Sequence, residues 1–277
     1  MAVNYQWTQS QACLKLVRAN SRSNYNWLFL AGGPGLGSES LNQLVAILDL
    51  PGAMWQVDLP GDGSNTINNN TESFSHWQQG LIELVKILPS SILVAHSTGG
   101  MFALATSELE NNLKGLVLMN SAPNASWQTQ FSAYVTEHPL IAAEQFQKNY
   151  AEDPSNDNLK KLTIACVDYG ATKKSKDKLI SLFEILPFNY ETHLWSEKNF
   201  DPYYEAKWIP KNIPVLIFSG DQDPITPLDL FLKSAEFKRE NILLVKIKNA
   251  SHFSWIDNPE QVKQVFLEYS SFLKSKN

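Results

Sequence analysis

Short blocks of apolar residues recur along the chain, and most are followed by a stretch with helical spacing. Six blocks read as strands: Trp27 to Ala31, Met54 to Asp58, Ile92 to Ala95, Gly115 to Asn120, Val215 to Ser219 and Ile242 to Ile247. Alternating with helical segments, such runs predict an α/β fold, a mostly parallel central sheet with helices on both faces. Leu41, Leu44, Val45 and Leu48 make one helix face, and Phe74, Trp77, Leu81, Leu84, Val85 and Leu88 make another. Asn258 offers an N-cap and Pro259 a first-turn residue for a last helix, whose face is Val262, Val265, Phe266, Tyr269 and Phe272. Each of the first five strands ends at a loop rich in Gly, Ser, Pro or Asp. Open α/β sheets bind ligands beyond those carboxyl ends.

The alternation stops between about Asn124 and Pro210, where helical patterns, turns and many aromatics replace it. This predicts a core formed by residues 1–123 and 211–277, interrupted by a helical cap, 124–210, over the strand ends. Most of its aromatics are expected to pack the insertion itself, and a few to line a pocket. The only low-complexity tract is the polar stretch from Asn65 to Asn70.

Four segments carry chemistry. In Ile92-Leu-Val-Ala-His-Ser-Thr-Gly-Gly-Met101 an apolar strand turns sharply into a helix, with small Ala95 and Gly99 flanking Ser97 at two residues' distance. That is the pattern of a nucleophile elbow, which exposes the serine at a helix N-terminus beside the Thr98 amide. Strand alternation turns His96 away from Ser97, so His96 is expected to pack or hydrogen-bond beneath the turn. The glycine-dense loop Ala31-Gly-Gly-Pro-Gly-Leu-Gly37 lacks the lysine of a phosphate loop, and Pro34 removes an amide. It reads better as the second half of an oxyanion hole, with Gly33 as donor. The strand Pro214 to Ser219 runs into Gly-Asp-Gln-Asp-Pro-Ile-Thr-Pro227, where Asp223 is chosen as the acid and Asp221 is the alternative. His252, in Asn249-Ala-Ser-His-Phe-Ser-Trp255, completes the chain order Ser, Asp, His.

Together these segments resemble the α/β-hydrolase superfamily over roughly residues 25 to 275. The stretch Asp58-Leu-Pro-Gly-Asp-Gly-Ser64 is similar to the turn after that family's next strand, with Asp62 where histidine is common. The resemblance implies Ser97 as nucleophile, Asp223 as acid, His252 as base, and the Gly33 and Thr98 amides as oxyanion donors. Gly32-Gly33-Pro34-Gly35 resembles the loop of proline iminopeptidases. The elbow, with Thr98 where that subgroup has a bulky tryptophan, looks more like esterases, lactonases and carbon-carbon hydrolases. Ala31 replaces the histidine that often opens the oxyanion loop. The expected activity is hydrolysis of a small-molecule carboxylic ester or related acyl bond through an acyl-enzyme. The rivals are another reaction in the same site, either aminopeptidase action, with Glu137, Glu144, Glu152, Glu184, Glu191, Glu197 and Glu205 of the cap as candidate partners for a substrate amine, or lyase or cofactor-free oxygen chemistry, and a ligand-binding homologue without turnover.

Composition narrows the partners. A formal charge of −5 over 277 residues, with 18% charged, gives no electrostatic footprint for nucleic acid. The basic run Lys173, Lys174, Lys176 and Lys178 is interrupted by Asp177 and reads as a solvated helix face. Cys13 and Cys166 lack metal-ligand spacing and are expected to be buried free thiols. No apolar run approaches a membrane span and no leader pattern opens the chain, so a cytoplasmic location is expected. The expected partner is a small-molecule substrate with an apolar or aromatic moiety. No cofactor or metal is called for.

Overall fold

The computed structural model describes residues 4–66 and 73–276. Residues 67–70 of the expected polar stretch lie outside them. Eight strands form one sheet: β1 (Tyr5–Trp7), β2 (Cys13–Ala19), β3 (Asn26–Leu30), β4 (Ala53–Asp58), β5 (Ser91–His96), β6 (Leu113–Met119), β7 (Val215–Gly220) and β8 (Ile242–Ile247). Their spatial order is β1-β2-β4-β3-β5-β6-β7-β8. The six strands from β3 onward pair in parallel, and β2 runs antiparallel to both β1 and β4.

The six expected strands are all present, shifted by at most two residues at their ends. The first two escape the sequence reading because they lie on the outer side of the sheet, β1 at its edge and β2 between β1 and β4. Tyr5, Trp7 and Val17 are solvent-exposed there, so neither strand forms an uninterrupted apolar block.

Alternate residues of the central strands feed two separate cores. Leu28, Leu30, Leu93, Ala95, Leu116, Leu118, Val215 and Ile217 face one side. Trp27, Phe29, Ile92, Val94, Val117, Met119, Leu216 and Phe218 face the other. The helices α1 (Asn42–Ile47), α2 (Trp77–Ile87) and α3 (Thr98–Leu104) are divided between these faces. Leu44 and Val45 of α1 join the Trp27 side, while Leu81, Leu84 and Val85 of α2 join the Leu28 side. Two-sided burial makes the sheet a rigid platform whose carboxyl ends can hold side chains in place.

After β6 come six helices: α4 (Ser126–Glu137), α5 (Ile141–Glu152), α6 (Asn156–Ala165), α7 (Val167–Gly170), α8 (Lys176–Ile185) and α9 (Tyr190–Asn199). The ends of this segment are tied by an antiparallel bridge between Asn124 and Glu205. Tyr150, Tyr169, Phe183 and Phe188 are buried within it, whereas Tyr203 is 78% exposed. The chain returns to the sheet and closes with α10 (Asp229–Leu232), α11 (Ser254–Asp257) and α12 (Pro259–Lys276). Asn258 caps α12 by accepting from the Gln261 amide at 3.1 Å. Its buried face ends on Leu273, with Phe272 only partly covered, because the helical phase has drifted by that turn. Cys13 is buried, but Cys166 is partly exposed at the end of α6, which corrects the expectation of two buried thiols.

Candidate active site

Ser97 stands between the last residue of β5 and the first of α3, with φ 52° and ψ −125°. A positive φ costs a non-glycine residue about 1 to 3 kcal/mol and persists only where its surroundings impose it. Here the Ser97 amide donates to the Met119 carbonyl at 2.9 Å, and its own carbonyl accepts from Ser121 Oγ at 2.8 Å and the Gly100 amide at 2.9 Å. The turn needs its small neighbours. A Cβ on Gly99 would lie 2.3 Å from the Ala31 carbonyl oxygen, and one on Gly32 would lie 2.5 Å from Ser97 Cβ.

His252 reaches Ser97 from the loop after β8. Its Nε2 lies 3.1 Å from Ser97 Oγ, and its Nδ1 lies 3.1 Å from Asp223 Oδ2 and 3.3 Å from Oδ1. A carboxylate accepts only, so the imidazole proton sits on Nδ1 and Nε2 is free to accept the serine hydroxyl. Asp223 is fully enclosed. It accepts from the Ile225 and Thr226 amides at 2.9 and 3.1 Å, from Thr226 Oγ1 at 3.1 Å and from Asn120 Nδ2 at 2.9 Å. Burial pushes its pKa up, but the His252 charge and the donated hydrogen bonds outweigh burial and hold it below the ordinary carboxylate value. Asp221 is exposed and accepts from the Ala250 amide at 3.2 Å instead. Of the two candidate acids, only Asp223 faces the histidine.

His96 lies beneath the turn, its Nε2 donating to the His252 carbonyl at 3.1 Å and its ring packed against Trp255 and Phe253. Burial, then the His252 charge, push its pKa well below the ordinary histidine value. Its ring nitrogen is directed at the His252 carbonyl and it is His252 that contacts Ser97 Oγ, so His96 is not placed to act as the base.

The glycine-rich loop after β3 presses on the elbow through Gly32. Among the described residues, the amides of Gly33 and Thr98 have no hydrogen-bond acceptor. The loop is anchored by two buried aspartates. Asp62 Oδ1 accepts from the Gly35 amide at 2.7 Å and the Gly63 amide at 2.9 Å, and Asp58 accepts from the Ser38 amide and hydroxyl at 2.7 and 3.0 Å. Burial, reinforced by the charges of Glu39 and Asp62, pushes Asp58 up to about 8. Burial pushes Asp62 up to about 6 against the amide bonds that it accepts.

The helical segment is hydrogen-bonded to loops at the carboxyl edge of the sheet. The Asn189 amide donates to the Gly35 carbonyl at 2.8 Å, Thr192 Oγ1 donates to the Gly61 carbonyl at 2.8 Å, and the Phe253 amide donates to the Gly170 carbonyl at 3.1 Å. Ser97 is nevertheless partly open. The sequence reading missed Asn120, Thr226 and Ser254 as parts of this site. The one available signal was an asparagine ending a buried strand at the carboxyl edge.

The fold and site define a class that comparison with known proteins also reaches. Residues 27–265 match the model of a family described as the alpha/beta hydrolase family, and the chain belongs to it. No curated protein sequence matches it. Among solved structures, it is similar to an alpha/beta fold family hydrolase from Bacillus anthracis str. Sterne, with 15% identity, TM-score 0.73 and coverage of 100% of this chain and 99% of that one. It is also similar to a proline iminopeptidase-related protein from Thermus thermophilus, with 17% identity, TM-score 0.72 and coverage of 100% and 99%. A third is an epoxide hydrolase from Bacillus megaterium, with 19% identity, TM-score 0.67 and coverage of 97% and 100%.

Proposed function

We propose that the chain is a serine hydrolase that cleaves small-molecule carboxylic esters or related acyl bonds through an acyl-enzyme. The observation that carries this reading is the hydrogen-bonded series Asp223, His252, Ser97, ending on a serine held at a strained turn. His252 takes the Ser97 proton as Oγ attacks the carbonyl. The Gly33 and Thr98 amides then receive the oxyanion, and Asp223 balances the imidazolium charge. His252 next protonates the leaving group, and in the second half-reaction it activates the water that releases the acid.

The identity of the nucleophile separates this chemistry from that of the epoxide hydrolase whose fold it shares. Serine attack on an sp³ carbon leaves an ether, which water does not cleave under these conditions. Attack on a carbonyl leaves an ester, which it does. The Gly32-Gly33-Pro34-Gly35 loop favours aminopeptidase action as a second reading, since it resembles that of proline iminopeptidases. The helical segment, residues 124–210, serves in either case as a lid whose aromatics shape an apolar pocket.

A chain-length series of nitrophenyl esters, run beside aminoacyl nitroanilides with Ser97→Ala as control, tests the proposal. Turnover of the esters that disappears in the variant supports it. Exclusive cleavage of the anilides transfers the assignment to the peptidase, and undiminished activity in Ser97→Ala overturns both.

A further inference from the structure

One buried side chain beside Asp223 has no part in the chemistry above. Asn120 directly follows β6, is completely buried and has φ 46°, a left-handed conformation that asparagine tolerates better than most residues. Its backbone amide donates to the Phe218 carbonyl at 2.8 Å, which fixes the backbone against β7. The side chain is fully committed. Nδ2 donates to Asp223 Oδ2 at 2.9 Å and to the Ser251 carbonyl at 3.1 Å, while Oδ1 accepts from Ser254 Oγ at 2.9 Å.

These partners fix which way the side-chain amide points. The Asp223 carboxylate and the Ser251 carbonyl only accept, so the NH₂ group must face them, and the Ser254 hydroxyl then has an acceptor in Oδ1. Ser251 and Ser254 lie on either side of His252. One asparagine therefore spans the acid and both flanks of the base, joining segments 103 and 134 residues away in sequence. Asp223 Oδ2 is also the carboxylate oxygen nearest His252 Nδ1, at 3.1 Å. Thr226 contributes a hydroxyl to the same oxygen. Without the Asn120 donor, Oδ2 keeps only the Thr226 hydroxyl and the His252 ring while the Ile225 and Thr226 amides hold Oδ1, so the pairing of Oδ2 with His252 loses one of its fixed points.

We propose that Asn120 is a positioning residue that holds the Asp223 carboxylate in register with His252, with Ser254 orienting its amide. The proposal rests on the reading of Ser97, His252 and Asp223 as a working triad. Asn120 touches no substrate atom and acts through Asp223.

The test uses a fluorophosphonate, which needs no knowledge of the natural substrate. Ser97 Oγ bonds to phosphorus, the P–F bond breaks, fluoride leaves and the hydroxyl proton passes to His252. Labelling rates are measured for Asn120→Gly, whose backbone suits the positive φ, and for Ser254→Ala. Each substitution is made alone and together with Asp223→Asn, and kcat and KM are measured on a nitrophenyl ester for the single variants. Asn120→Gly should slow labelling roughly 10- to 100-fold in the otherwise wild-type protein, the scale of a displaced catalytic group. Ser254→Ala should slow it by a smaller factor. On Asp223→Asn neither substitution should have more than about a threefold effect, because the group they act through is already disabled. The ester kinetics should show the loss in kcat with KM nearly unchanged.

The same factor in both backgrounds would assign Asn120 a purely structural role and overturn the proposal. So would wild-type labelling by Asn120→Gly. Ser97→Ala distinguishes the failure of the clamp from the failure of the triad. If that variant is unlabelled while Asn120→Gly behaves as wild type, only the clamp is wrong. Labelling of Ser97→Ala at the wild-type rate removes the triad and the clamp together.

Discussion

Asp58→Asn should make the protein more stable, and increasingly so as the pH rises. Asp58 is buried beside Asp62 and Glu39 with no cation paired to it among the described residues, and its pKa rises from 3.8 unfolded to about 8 folded. Between those values the native state holds a proton that the unfolded chain has released. Stability therefore falls as pH rises through this window and levels off above it. At roughly 1.4 kcal/mol per pH unit, the interval from pH 5 to pH 8 amounts to about 4 kcal/mol. Asparagine preserves the hydrogen bonds, since its carbonyl accepts from the Ser38 amide and its NH₂ can donate to the Ser38 hydroxyl. Asp62, with the same sign between 3.8 and about 6, adds to the slope of both proteins at the acid end. The difference between variant and wild type cancels most groups that titrate elsewhere. Urea unfolding at pH 5, 7, 8 and 9 measures it. The gap should widen by an amount on the order of 3 to 4 kcal/mol between pH 5 and 8 and then stay flat. A gap constant to within about 0.5 kcal/mol across the series refutes the assignment of a buried, protonated Asp58.

Three other substitutions probe the site. Asp223→Asn should cut ester turnover by roughly 10⁴-fold, because the imidazole loses its orienting anion, while Asp221→Asn should stay within about twofold of wild type. Equal effects would mean that the acid is not confined to Asp223. Gly32→Ala places a Cβ 2.5 Å from Ser97 Cβ. It should lower kcat/KM by about 100-fold and stability by about 1 to 3 kcal/mol, and a neutral result in thermal unfolding and activity contradicts the close packing of loop on elbow.

The sheet was legible where both strand faces are apolar, as in β3, β5, β6 and β7, because burial on two sides leaves an unbroken hydrophobic run. It was illegible at Tyr5–Trp7, a short edge strand with exposed aromatics. Ser97 and His252 could be read from local turn chemistry and chain order. Asp223 could not be separated from Asp221 by sequence, since both follow the same strand and either carboxylate could accept a proton. Only the fold of the turn sends one to the histidine and the other to solvent. Asn120 was hidden for a stronger reason: its partners are brought to it by strand pairing. The raised proton affinities of Asp58 and Asp62 come from burial and mutual charge, which a motif does not display.

The central claim is that Ser97 is the nucleophile. Intact-mass measurement and peptide mapping after fluorophosphonate treatment test it most directly. The account predicts one adduct per chain, located on Ser97 and absent from Ser97→Ala. An adduct on another residue, or labelling of Ser97→Ala at the wild-type rate, would contradict it.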